Sequence, residues 1–290
     1  MQTTISTDIR YIDMNCLVKV FVSAVAVLSG FGTACIAQNS QQASADSVAI
    51  HFWDNIRSAS ADSLHERMSE FISMLPRLRS DSIRSEAVRR AVESNGNTEE
   101  SAYRFSQTAE DCLFARTSPL RDEPTYITFL RAMLAAGYPD SVRSEWMLAM
   151  VGKNQPGSVV ADFTFTDRTG KSHTLYDELG KQVILFFYDP ECDDCHNTAR
   201  ELAADSALNT ALGNGAVRLL AINPASADGW RELPQDFPTT WLDGNDDGVL
   251  EASGAFFFSS FPSIYFLDAK GKVVLKEPSV SDIAGILREM

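Results

Sequence analysis

Residues 184–195, ILFFYDPECDDC, constrain this chain more than any other stretch. A β-branched and aromatic run ends at Asp189-Pro190, and Cys192-Asp193-Asp194-Cys195 follows at once. From His196 the apolar residues of HNTARELAADSALNTAL recur at helical spacing, which predicts a helix over 196–212. A strand that hands two cysteines to the start of a helix is a redox arrangement. The N–H groups and dipole at a helix N-terminus favour a thiolate, and the thiolate is the form that attacks a disulfide. Two intervening residues let the sulfurs close a small, reversible ring.

Two other chemistries fit the same letters. Cys192 to His196 also matches Cys-x-x-Cys-His, the attachment pattern of c-type haem, and a cysteine pair is half of a zinc site. Zinc needs two more ligands, and beyond residue 37 only Cys112 and the scattered His51, His65 and His173 remain. Haem attachment usually lies in a loop-rich helical domain with a distal Met or His, whereas this motif follows a strand. The dithiol reading leads, with no cofactor and no metal expected.

The N-terminal region reads as an export signal. Residues 17–34 are almost all apolar or small, and Cys35-Ile36-Ala37 is a small-x-small cleavage pattern. Residues 1–37 are therefore the expected signal peptide, with Met14 a plausible true start. An uncleaved anchor and lipidation at Cys35 are the alternatives. The expected location is the periplasm or cell envelope. Residues 1–37 carry two basic and two acidic residues, so their removal leaves the net charge at −14, which argues against nucleic acid and anionic lipid as partners. With Cys16 and Cys35 removed, only Cys112, Cys192 and Cys195 remain, too few for a disulfide-stapled scaffold. Cys112 beside Leu113 and Phe114 reads as a free buried thiol.

Periodicity changes along the chain. Residues 38–151 read as an all-α domain of five or six helices punctuated by Pro76, Gly96, Pro119, Pro124, Gly137 and Pro139. Asp46-Ser47, Asp62-Ser63, Asp81-Ser82, Asp140-Ser141 and Asp205-Ser206 each sit ahead of an apolar-periodic run, as N-caps do; the same pattern resembles an O-glycosylation acceptor. Residues 152–157 are a turn-rich linker. Residues 158–290 mix strands and helices: a hairpin around the Asp167–Lys171 turn, the motif strand 182–188, a strand at 216–222, paired strands about the Ala269–Gly271 turn, and a closing helix over 279–289. Asp243-Gly244-Asn245-Asp246-Asp247-Gly248 looks like the first half of a calcium loop, but position twelve is Gly254 where Glu is needed, so an acidic turn is expected.

Three features together resemble the thioredoxin superfamily, specifically its bacterial envelope branch. They are Asp162-Phe163 before the hairpin, the strand–Cys-x-x-Cys–helix unit, and Phe261-Pro262-Ser263-Ile264-Tyr265 entering a strand before a Gly turn. The helical region followed by GSVVADFTF also resembles a helical domain of unknown function that precedes such modules in envelope proteins of gut-type anaerobes. The resemblance implies an α/β thioredoxin-like fold, a central mixed sheet flanked by helices, preceded by a separate all-α domain. It implies that Pro262 is cis and lies against the redox pair. It also implies protein disulfides as substrates and a membrane thiol carrier as electron donor. Within the pair, Cys192 is expected to attack, being the more N-terminal and more exposed, and Cys195 to resolve the mixed disulfide.

The departures from the family pattern are local. Glu191 replaces the usual aromatic, Asp193-Asp194 replaces Gly-Pro or Glu-Pro, and Phe186 stands where thioredoxins bury an acid, while Glu201 lies one helix turn too far to take its place. A peroxidase would need Thr or Ser at 189, which is Asp. Glu191, Asp193 and Asp194, with Asp189, put like charge around Cys192 and oppose its thiolate, which predicts a reducing pair. The alternative class is an envelope binding module whose dithiol is regulatory or incidental.

Overall fold

The computed structural model describes residues 45–54, 61–232 and 237–289. The expected signal peptide and Cys35 lie outside the described residues. Among the described residues no helix is long and apolar enough to cross a membrane.

The chain divides into two compact units at Cys112/Leu113. The first is helical: residues 45–50, then α1 (Ala61–Met74), α2 (Asp81–Asn95) and α3 (Glu99–Leu113). Met68, Phe71, Ala87, Ala91, Val92, Phe105 and Ala109 form its interior, with Trp53 edge-on to Phe71 and Phe105. The Asp-Ser pattern caps less than its sequence suggests. Asp46 is buried and paired with Arg79. Ser80, not Asp81, caps α2 by accepting from the Ile83 N–H. Cys112 is buried as expected, and His65 is not alone: its Nε2 lies 3.6 Å from Cys112 Sγ. Burial pushes the Cys112 thiol up, which keeps it protonated and inert.

The second unit begins with α4 (Glu123–Ala135) and α5 (Ser141–Val151). Asp140 occupies the N-cap position of α5 in a left-handed conformation, φ 63°, without a side-chain capping bond. A seven-stranded sheet follows: β1 (Thr164–Asp167), β2 (Ser172–Thr174), β3 (Gln182–Phe187), β4 (Val217–Asn223), β5 (Leu242–Asn245), β6 (Ser263–Leu267) and β7 (Val273–Lys276). Their order is β2-β1-β5-β4-β3-β6-β7, with β3, β4 and β5 mutually parallel and the outer pairings antiparallel. This is the mixed sheet of a thioredoxin-like fold. The helices between and after the strands are α6 (Asp193–Ala204), α7 (Ser206–Gly213), the short α8 (Val249–Ser253) and α9 (Val280–Arg288).

β3 is a continuous apolar run because both faces of the sheet are covered. Ile184 and Phe186 join Cys195, Leu202, Leu208, Ile283 and Leu287 of α6, α7 and α9 on one face. Val183, Leu185 and Phe187 join Phe163, Phe165, Phe256 and Tyr265 on the other.

Three sequence expectations shift. The helix expected over 196–212 starts at Asp193 and breaks at Asp205, whose carboxylate accepts from Leu208 N–H and caps α7. The acidic turn expected at 243–248 is partly β5. Gly244 is required there because a Cβ would run into the Phe165 ring. Finally, the linker at 152–157 marks where the strands begin, but not where the compact units part. Residues 113–151 pack with the sheet: Phe114 stacks on Tyr126 and Phe257, and Lys276 Nζ at the end of β7 lies 2.8 Å from Glu123 Oε2 and 3.0 Å from the carbonyls of Val151 and Lys153.

Candidate active site

β3 ends at Phe187, and Tyr188 leads into the cysteine loop. The Asp189 carboxylate accepts from the Glu191 N–H at 2.8 Å, and the Asp189 carbonyl accepts from Cys192 N–H at 3.1 Å, which closes the turn. The His196 Nε2–H donates to the Pro190 carbonyl at 2.8 Å and ties the loop to the first turn of α6. In this arrangement His196 holds the loop in place.

Cys192 is the N-cap of α6. Its backbone is extended, and its sulfur accepts from the Cys195 N–H at 3.2 Å. A sulfur receiving a helix N-terminal N–H is stabilised as a thiolate. Cys192 is half-buried, whereas Cys195 is 2% exposed on the core face of α6. Burial first, and then the neighbouring Cys192 sulfur, push the Cys195 thiol well above the usual range. One cysteine is partly exposed and the other is buried and keeps its proton.

The Phe261–Pro262 peptide bond is cis. The Phe261 carbonyl oxygen lies 3.7 Å from Cys192 Sγ, so the Pro262 segment lies against the cysteine pair. Pro262 also lines a cavity of about 410 Å³ together with Arg116, Arg121, Thr198, Glu201 and Glu277. Glu277 is held by a 2.5 Å bond from the Ser263 hydroxyl, and burial raises its carboxyl. Glu201 faces this cavity.

Residues 156–276 match the AhpC/TSA family. This region is similar to that family, whose fold is thioredoxin-like. Over 120 residues, 40% of the chain, the sequence is 29% identical to the thiol-disulfide oxidoreductase ResA of Geobacillus thermodenitrificans, strain NG80-2. That match spans 66% of the relative's length. A thioredoxin-like protein from Bacteroides caccae, 23% identical, superposes with a TM-score of 0.79 over 84% of this chain and 92% of its own, a likeness of fold.

Around the cysteine pair the remaining sequence candidates separate. Glu191 and Asp193 stand in solvent. Asp194, also exposed, pairs with Arg116 at 3.4 Å. Asp243 belongs to a buried network instead of a cation loop. It accepts from Tyr188 OH at 2.7 Å and from Arg168 Nε at 2.5 Å, while Trp230 Nε1 donates to Tyr188 OH at 3.0 Å and the Arg168 guanidinium stacks 4.5 Å above the Trp230 ring. Burial raises the Asp243 carboxyl, and Arg168 and Tyr188 oppose that rise. Tyr188 directly precedes the cysteine loop, so this network fixes the loop's root. Arg116 carries no sequence signal: it is far from the motif along the chain, yet it donates to the Phe261 carbonyl.

Proposed function

We propose that this protein is an exported thiol–disulfide oxidoreductase that reduces protein disulfides through Cys192 and Cys195. The observation that carries the reading is the asymmetry of the pair: an accessible sulfur capping a helix, above a buried sulfur that retains its proton. The name of the ResA relative supports the same chemistry.

Cys192 attacks as the thiolate. Its sulfur bonds to one sulfur of a client disulfide, the client S–S bond breaks, and the second client sulfur leaves with the electron pair and takes up a proton. Cys195 then gives up its proton and attacks Cys192, closing the Cys192–Cys195 disulfide and expelling the first client sulfur. The client gains two electrons and two protons, and the dithiol loses them. Pro262 shapes the groove in which the client strand lies. In this reading a membrane thiol carrier re-reduces the pair, and the apolar N-terminal stretch supports export to the periplasm or cell envelope, where protein disulfides persist.

Insulin reduction in the presence of dithiothreitol tests the reading. The wild type should accelerate it and Cys192→Ser should not. Cys195→Ser should accumulate a mixed disulfide through Cys192. Equal rates for wild type and Cys192→Ser would overturn the proposal.

A further inference from the structure

Arg116 lies in the segment between α3 and α4, before residue 156 where the family similarity begins, yet it contacts two segments that flank the cysteine pair. It donates through Nη1 to the Phe261 carbonyl oxygen, the same atom that lies 3.7 Å from Cys192 Sγ. Its Nη2 lies 3.4 Å from Asp194, one of the two residues between the cysteines. Guanidinium and sulfur share one acceptor, so an ordinary hydrogen-bond length added to the 3.7 Å leaves Nη1 and Sγ at most about 7 Å apart. That is inside one Debye length at physiological salt.

The charge around Cys192 makes this placement consequential. Asp189, Glu191, Asp193 and Asp194 all oppose a negative sulfur, and the Phe261 carbonyl turns its own negative end toward it. A guanidinium bound to that oxygen offsets the carbonyl dipole and one carboxylate together. Arg is suited to the task because its planar fork engages two acceptors at fixed angles. The side chain is 35% exposed, so its field is only partly screened. Arg121, Glu201 and Glu277 share the cavity with Arg116.

We infer that Arg116 is a positioning residue of the dithiol site: it bridges the Phe261 carbonyl and Asp194 so that a positive charge faces the Cys192 sulfur as it attacks. The inference rests on the dithiol reading above. Without Arg116 the attacking thiolate is less stable and a client meets a less reactive sulfur.

The experiment measures the iodoacetamide alkylation rate of Cys192 in the reduced full chain at neutral pH, at low salt and at 0.5 M salt. Arg116→Gln should be slower than wild type by about threefold to tenfold at low salt, with the gap closing at high salt. Arg116→Lys should recover most of the rate, because it restores the charge. Arg116→Met serves in place of Gln if circular dichroism shows the Gln variant unfolded. A Gln rate equal to wild type, a deficit unmoved by salt, or a Lys variant as slow as Gln would each overturn the inference. Wild-type insulin reduction separates the two failures. If wild type reduces insulin and the Arg116 variants alkylate as it does, only this inference falls. If wild type fails to reduce insulin, the dithiol reading falls first.

Discussion

Asp189, Glu191, Asp193 and Asp194 stand in solvent around the cysteine pair, while Asp243 and Asp246 are buried in and beside the sheet. The two stretches carry acid at similar density and follow or form strands on either side of β4. In the first, exposed carboxylates flank a reactive sulfur and act on it through their charge, with, among the described residues, only Asp194 paired to a cation, Arg116. In the second, Asp243 is locked by Arg168 and Tyr188, and Asp246 accepts from the Leu250 N–H at the start of α8. Tyr188 joins them, since it precedes the reactive loop and donates to Asp243. Acid density alone therefore does not separate chemistry from architecture. The partner of each carboxylate does.

The largest effects should fall cleanly on opposite sides of that comparison. Cys192→Ser should reduce insulin turnover to the uncatalysed background, because the attacking sulfur is gone. It should leave stability unchanged or slightly higher, because Ser is a favoured N-cap and can still accept from Cys195 N–H. Asp243→Ala should do the reverse. It leaves the buried Tyr188 hydroxyl and the half-buried Arg168 guanidinium without their shared acceptor and should cost about 2–4 kcal/mol in urea unfolding, while Cys192 alkylation in the folded fraction persists. Loss of alkylation in still-folded Asp243→Ala would show that the two stretches are not separable.

A smaller effect probes why β5 exists at all. Gly244→Ala forces a methyl group onto the Phe165 ring and should cost about 1–3 kcal/mol, the usual penalty of overpacking. Phe165→Leu in the same chain should recover part of it. An additive loss would mean that the Phe165 contact is not the reason for glycine.

β5 also shows where sequence reading stops. LDGN has one apolar residue among types depleted in strands, so nothing local marks it. It is a strand because β4 and β1 pair with it on both sides. The motif strand, the hairpin, the Gly-turn pair and the closing helix were legible because each carries its own periodicity or turn chemistry. The early start of α6 was also signalled, by two acids in a first turn, but the cysteine motif drew the boundary elsewhere. Arg116 and the grouping of residues 113–151 with the sheet were not legible. They depend on contacts such as Arg116–Phe261 and Glu123–Lys276, between residues far apart in the chain.

Within the pair itself, Cys195 should reveal its burial through pH. Its folded thiol is raised above the unfolded value, so between the two the unfolded chain releases a proton that the folded chain keeps. Stability contributed by the protonated thiol is fully present below about pH 8.5, the unfolded cysteine value. It should fall above that by up to about 1.4 kcal/mol per pH unit. The stability of reduced wild type relative to Cys195→Ser should therefore decline from pH 8.5 to 10. Both proteins retain every tyrosine, so those titrations cancel, and repeating the comparison in a Cys192→Ser background removes the titration of the neighbouring sulfur. A flat difference would place Cys195 in a solvated site and dissolve the asymmetry on which the proposed chemistry depends.

The smallest effect tests whether the exposed acids matter to the chemistry they surround. Asp193→Asn with Asp194→Asn removes two negative charges beside Cys192. This favours the thiolate, hence the reduced form, and so makes the pair more oxidising. Both side chains are solvent-exposed, so salt screens them and a few tenths of a kcal/mol each is the expected scale, about 10 mV for the pair on the relation of 30 mV to 1.4 kcal/mol. The same substitutions remove favourable charge from the first turn of α6, worth about 0.3–1 kcal/mol at each position. The variant should thus be slightly less stable and slightly more oxidising, two changes that a simple loss of folding cannot produce together. Equilibration with glutathione at 0.05 M and 1 M salt separates the terms, since the shift in potential should vanish at high salt. A potential that is unchanged at low salt, or that moves downward, would leave these carboxylates as helix-terminus residues with no part in redox tuning.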